Sequence, residues 1–89
     1  MRKTIWKYGI GETLQDVTLE MPCGAVVRSV ANQRDHLVLW AEVDMDKAHT
    51  ESRTFAKVLT GGQVPDGRRF IGTVLLDQGS DVLHVYEVE

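Results

Sequence analysis

Few residues in this sequence offer chemistry: three histidines, one cysteine, and a glycine-rich stretch that ends in two arginines. His36, His49 and His84 each stand alone. None has a second His or Cys at the short spacing of a zinc site. His49 has Asp44, Asp46 and Glu51 nearby, but without the compact loop pattern that wraps calcium. A solvated acidic loop accounts for this group, so we expect neither a metal nor a cofactor. Cys23 sits in Pro22-Cys23-Gly24. A nucleophilic thiolate needs a neighbouring base, and no Cys-His motif is legible. There is no G-x-S-x-G elbow. Gly61, Gly62 and Gly67, followed by Arg68 and Arg69, offer free N–H groups and two cations, which can hold an anion. The Lys-Ser/Thr ending of a phosphate-binding Walker loop is missing. Turns that need positive φ explain the glycines more simply.

His84 lies in Leu83-His84-Val85-Tyr86. With Val82, Tyr86 and Val88 it shares one face of an alternating segment. A ring there needs a polar partner if buried, either a neighbouring strand or a ligand. Trp6 and Trp40 are the aromatics best placed to be exposed, each opposite its strand's aliphatic side. An indole near Lys7, Arg28 or Arg53 would suit stacking on a base or docking on a protein. It could equally close an oligomer interface. The candidate ligand-binding residues are therefore Trp6, Arg28, Trp40, Gly61, Gly62, Arg68, Arg69 and His84, with no catalytic set.

The elements that must position them are strands. Alternation is clearest over Gln15–Met21 and His36–Asp44. In the second, Leu37, Leu39, Ala41 and Val43 share one face, and Val38 and Trp40 the other. Lys3–Tyr8, Ala25–Asn32 (Arg28 between Val26 and Val30 on one face), Ser52–Leu59, Phe70–Leu76 and Val82–Val88 complete the set. The breaks are Gly9–Gly11, Pro22–Gly24, Asn32–Asp35, Met45–Glu51, Thr60–Gly67 and Asp77–Asp81. No stretch keeps a helical period for three turns. The expectation is an all-β domain over residues 1–89, a small antiparallel sandwich or open barrel of six to seven strands.

The chain of 89 residues supports one thin core and no second domain. Residues 1–45 carry five basic and six acidic groups, and residues 46–89 carry five and seven. With a net charge of −3, non-specific duplex nucleic acid binding has no electrostatic drive. No apolar run approaches the ~20 residues that span a bilayer. Arg2-Lys3 precedes no apolar stretch, so no signal peptide or membrane partner is expected. A single cysteine fits a reducing compartment.

Four ordered pieces carry a resemblance: Thr4-Ile5-Trp6-Lys7-Tyr8; Glu20-Met21-Pro22 with Gly24-Ala25; Thr60-Gly61 followed by Pro65-Asp66; and Phe70-Ile71-Gly72-Thr73 with His84-Val85-Tyr86-Glu87. Over nearly its whole length the chain resembles a family of small bacteriophage and prophage proteins of unknown function. The resemblance implies a viral accessory protein in the host cytoplasm and no established activity. The leading expectation is a binding protein, for instance a host-defence inhibitor that holds a host protein or sequesters a small anionic or nucleotide ligand. One alternative is a small virion or assembly component. Another is an enzyme using His84 with acidic partners, for which so slim a sheet scarcely provides a cleft. Sheet edges and apolar patches point to a homo-oligomer.

Overall fold

The computed structural model describes residues 1–64 and 66–88. Pro65, part of the expected Thr60–Gly67 loop and of the resemblance, lies outside the described residues, as does Glu89. The strands are β1 (Lys3–Gly9), β2 (Val17–Pro22), β3 (Val26–Gln33), β4 (His36–Asp44), β5 (Thr50–Leu59), β6 (Arg68–Leu76) and β7 (Asp81–Val88). They form two antiparallel sheets, β1-β4-β3 and β2-β5-β7-β6. The two ladders stay separate among the described residues, so the architecture is a sandwich and not a closed barrel.

Alternation decides which side chains meet between the sheets. Leu37, Leu39, Ala41 and Val43 of β4 pack inward with Met21, Phe55, Val74, Leu83 and Val85. Direct cross-strand partners share a face, so β4 fixes its neighbours. Tyr8 and Trp6 of β1 lie opposite Leu39 and Ala41 and point inward; Ile5 and Lys7, opposite Glu42 and Trp40, point outward. Bulges alter the pattern on two strands. In β3 the register shifts between Val27 and Ser29. Val26 therefore faces outward and Val30 inward, and the expected common face of Val26, Arg28 and Val30 does not exist. A second shift lies between Phe70 and Gly72 of β6. An extra residue reverses the faces beyond it, and residue type alone does not reveal it.

The β3–β4 turn is tighter than expected. Arg34 and Asp35 alone make it, with φ of 52° and 66°, a type I′ geometry usually marked by Asn-Gly. The polar β4–β5 link ends sooner too, because β5 begins at Thr50.

Two polar devices replace apolar packing inside the sandwich. Lys57, buried on β5, donates to the carbonyls of Ile10 (2.6 Å) and Gly11 (3.3 Å), which ties the β1–β2 link to the second sheet. Burial lowers its ammonium pKa, against the attraction of Asp16 and Glu12. At the other end, Glu87 accepts from Arg53 and from Arg69 (2.8 Å), and Arg53 also donates to the Ala25 carbonyl (2.9 Å).

Candidate functional site

β5 and β6 are both antiparallel to β7, which lies between them. They therefore run parallel, and the 60–67 connection must travel the length of β7. Its first residues, Thr60 to Gly62, lie on the outer face of the second sheet. Thr60 Oγ1 shares a hydrogen bond of 2.8 Å with His84 Nε2. Gly62 lies on Val58, and the small Ala56 is buried beneath. Gly61 and Gly62 thus sit at the Leu83 end of β7, whereas Arg68 and Arg69 pair with Val88 and Glu87 at its other end. Five residues of strand hold them roughly 16 Å apart, so Gly61, Gly62, Arg68 and Arg69 do not converge into one anion cradle. Arg69 is committed to Glu87, and Arg68 reaches Asp16 at 3.7 Å.

The simpler reading of the glycines holds at Gly61 and Gly67, with φ of 88° and 76°. Gly62 is different: a Cβ there would stand 3.0 Å from the Leu59 carbonyl oxygen and 3.0 Å from Val58 Cγ1. The carbonyl belongs to a turn closed by Gly62 N–H (2.8 Å) and cannot easily retreat. Gly62→Ala should lower stability by about 1–3 kcal/mol, measurable by urea denaturation.

His84 finds partners for both ring nitrogens, Thr60 at Nε2 and Thr73 Oγ1 at Nδ1 (2.9 Å). It is a satisfied strand histidine, the first of the two outcomes above, with no nitrogen left over for a ligand.

The two indoles part company. Trp40 is half-buried on the outer face of the three-stranded sheet, opposite its strand's aliphatic side as expected. Trp6 points to the inner side of edge strand β1, yet it remains 43% exposed. The expectation that both lie opposite an aliphatic face fails at Trp6, because Trp6 and Tyr8 are themselves the inward set. Arg53 spends its guanidinium on Glu87, Glu51 and the Ala25 carbonyl.

Around Trp40 the outer face is basic. Lys7 is its direct neighbour on β1 and Ser29 its neighbour on β3. Arg28 (3.0 Å) and Lys3 (3.5 Å) both reach Glu42, the one carboxylate set among them, and hold its pKa below the usual range, Arg28 most strongly. Next to Trp40 lies a groove of about 520 Å³ lined by Lys7, Gly9, Gln33, Arg34, His36 and Val38. Lys7 Nζ donates only to the neutral Gln33 amide oxygen (2.9 Å). His36 meets Glu12 at 2.9 Å. Among the described residues Arg34 has no carboxylate partner. Sequence reasoning named Trp40, Arg28 and Lys7 but missed Arg34, His36 and Gln33. Only the tight turn, which carries Arg34 back beside Lys7, unites them. The arrangement provides an aromatic plate beside uncommitted cations, with no nucleophile–base pair. Among the described residues no group of three His, Cys, Asp or Glu is placed to hold a metal ion, and no helix is long and apolar enough to cross a membrane.

Fold and surface together define a small all-β sandwich with one basic, aromatic sheet face. The chain belongs to a family described as a domain of unknown function, DUF7352, whose model matches residues 1–89. No curated protein and no solved structure matches it.

Proposed function

We propose that this protein is a non-catalytic binding module whose outer β1-β4-β3 face grips a small anionic aromatic ligand of the nucleotide class. The observation that carries the reading is Trp40 paired across the strands with Lys7, which itself lines the groove that also holds Arg34 and His36. An aromatic side chain stacks on any base, with about 1–3 kcal/mol lost per base when it is removed. Cations beside it take up the phosphate, and Arg34 adds a planar fork suited to phosphate oxygens. In a bacteriophage or prophage setting, which rests on the family resemblance, such a module would sequester a host nucleotide in the host cytoplasm. The same face would serve to hold a host protein through an acidic segment, and a virion component would use it for assembly.

Titration with nucleoside mono- and diphosphates, read by tryptophan quenching and by thermal shift, tests this. Trp40→Ala should weaken binding roughly tenfold to a hundredfold. Lys7→Ala and Arg34→Ala should weaken it most at low salt, and the difference from wild type should shrink as salt screens the attraction. Trp6→Phe, on the opposite face, should leave affinity unchanged. No shift at millimolar nucleotide, or equal affinity in Trp40→Ala, defeats the proposal.

A further inference from the structure

β1 is an edge strand of its sheet and has no neighbour on the side away from β4. Two hydrogen bonds at its ends set the phase of the β1–β4 ladder: Met45 N–H to the Arg2 carbonyl (2.7 Å) and Ile10 N–H to the Leu37 carbonyl (3.0 Å). Antiparallel pairs alternate between bonded and non-bonded. Arg2, Thr4, Trp6, Tyr8 and Ile10 therefore spend their backbone groups on β4. Lys3, Ile5, Lys7 and Gly9 turn their N–H and C=O groups outward.

The other edges are guarded. At the β3–β6 corner, Asn32 Nδ2 donates to the Leu75 carbonyl (3.2 Å), and Gly72 lies close against Val30. β2 has six residues and ends in Pro22, which cannot donate. Among the described residues β1 alone presents seven unbroken residues at an edge, with Ile5 52% exposed and Trp6 only partly covered by the second sheet.

From this geometry we propose that β1 pairs antiparallel with the β1 strand of a second copy, about a two-fold axis at Trp6. The charge pattern of the strand selects the occupant and the register. Centred on Trp6, Lys3 faces the partner's Gly9, Thr4 faces the partner's Tyr8, and Ile5 faces the partner's Lys7. All seven residues pair, and each outward residue meets an outward residue. Sliding by two residues in either direction sets lysine against lysine, Lys3 on the partner's Lys7 or Lys7 on the partner's Lys7. Like charges placed directly opposite are destabilising. In the favoured register Trp6 lies beside the partner's Trp6 in a non-bonded pair, where side chains approach closest, so the second copy covers the ring that its own second sheet leaves bare. The two sheets become one of six strands. The Trp40 faces lie on its other side, where the partner's Ile5 and the partner's Lys3 would stand beside Lys7 and Gly9, so the pairing borders the groove lined by those two residues.

Sedimentation velocity over a range of micromolar concentrations, combined with cross-linking, tests the pairing. The wild-type chain should dimerise. Ile5→Pro removes an outward N–H that β4 does not use. It should keep the β-sheet circular dichroism spectrum and weaken dimerisation about tenfold or more. Trp6→Cys should form an intermolecular disulfide on mild oxidation, whereas Ile5→Cys should not. A wild-type monomer at 100 μM (on the order of a weak dimer's dissociation constant) overturns the proposal. So does a dimer undiminished by Ile5→Pro, or cross-linking at residue 5 in preference to residue 6.

Discussion

Replacing Glu87 with alanine is expected to lower the unfolding free energy by about 3–5 kcal/mol, the cost of stranding a buried charge. Glu87 is 6% exposed, and its carboxylate is the common acceptor for Arg53 and Arg69. Arg69 reaches solvent and can turn outward. Arg53 is held inside the sandwich by Glu87 and the Ala25 carbonyl, and loss of Glu87 leaves it only the partly exposed Glu51 (3.2 Å) as a carboxylate partner. A paired double variant separates the loss of an interaction from an abandoned charge. With Glu87→Leu and Arg53→Leu together, much of the single variant's loss should return, because an apolar pair of similar size avoids desolvating either ion. Urea denaturation of the three proteins at neutral pH measures this. The same carboxylate governs the acid response. Burial alone would raise its pKa, but the guanidinium hydrogen bonds of Arg53 and Arg69 outweigh burial and hold it below the usual 4.5. The folded state therefore binds that proton less readily than the unfolded chain. Glu87's contribution is present above pH 4.5 and is lost as pH falls through its folded pKa. Glu87→Gln should flatten the decline of stability below that pH, and a wild-type slope in the variant would refute the assignment.

Phe55→Ala should cost a similar amount, about 3–5 kcal/mol. The ring is fully enclosed and lies on β5 between Val17 of β2 and Glu87 of β7. It closes the apolar core just where the ionic cluster begins. A cavity there cannot collapse easily, because β5 is hydrogen-bonded on both sides. A domain of this size has roughly 4–13 kcal/mol to lose, so the variant should melt well below the wild type in calorimetry. A drop of only a degree or two would mean that the sheets can close over the gap.

The fold was largely legible because burial follows a period of two. β4 shows this best: Leu37, Leu39, Ala41 and Val43 turned inward and Trp40 outward, and His36–Asp44 matched the strand at both ends. Illegibility began where a single residue interrupts the period. The bulge beside Arg28 reversed the faces of β3, and nothing in Val-Val-Arg-Ser announces it. The hairpin break at Asn32–Asp35 was legible, but its tightening to Arg34 and Asp35 alone was not, since two charged residues occupy positions that glycine or asparagine usually fills. Of the candidate site, Trp40, Arg28 and Lys7 were accessible from alternation. Gly61, Gly62, Arg68 and Arg69 were adjacent in sequence, yet a connection between parallel strands separates its own ends by the length of the strand it crosses. Trp6 resists the rule for a different reason: it points inward, but on an edge that the opposing sheet leaves partly bare.

The interior place of β7 in its sheet has a consequence for biosynthesis. β7 emerges from the ribosome after β5 and β6, and both of them require it. Until residues 81–88 clear the exit tunnel, neither can satisfy its facing backbone, and both present sticky edges. The second sheet therefore stays incomplete over that interval, during which the nascent polypeptide depends on brevity of exposure, or on chaperones, to avoid aggregation.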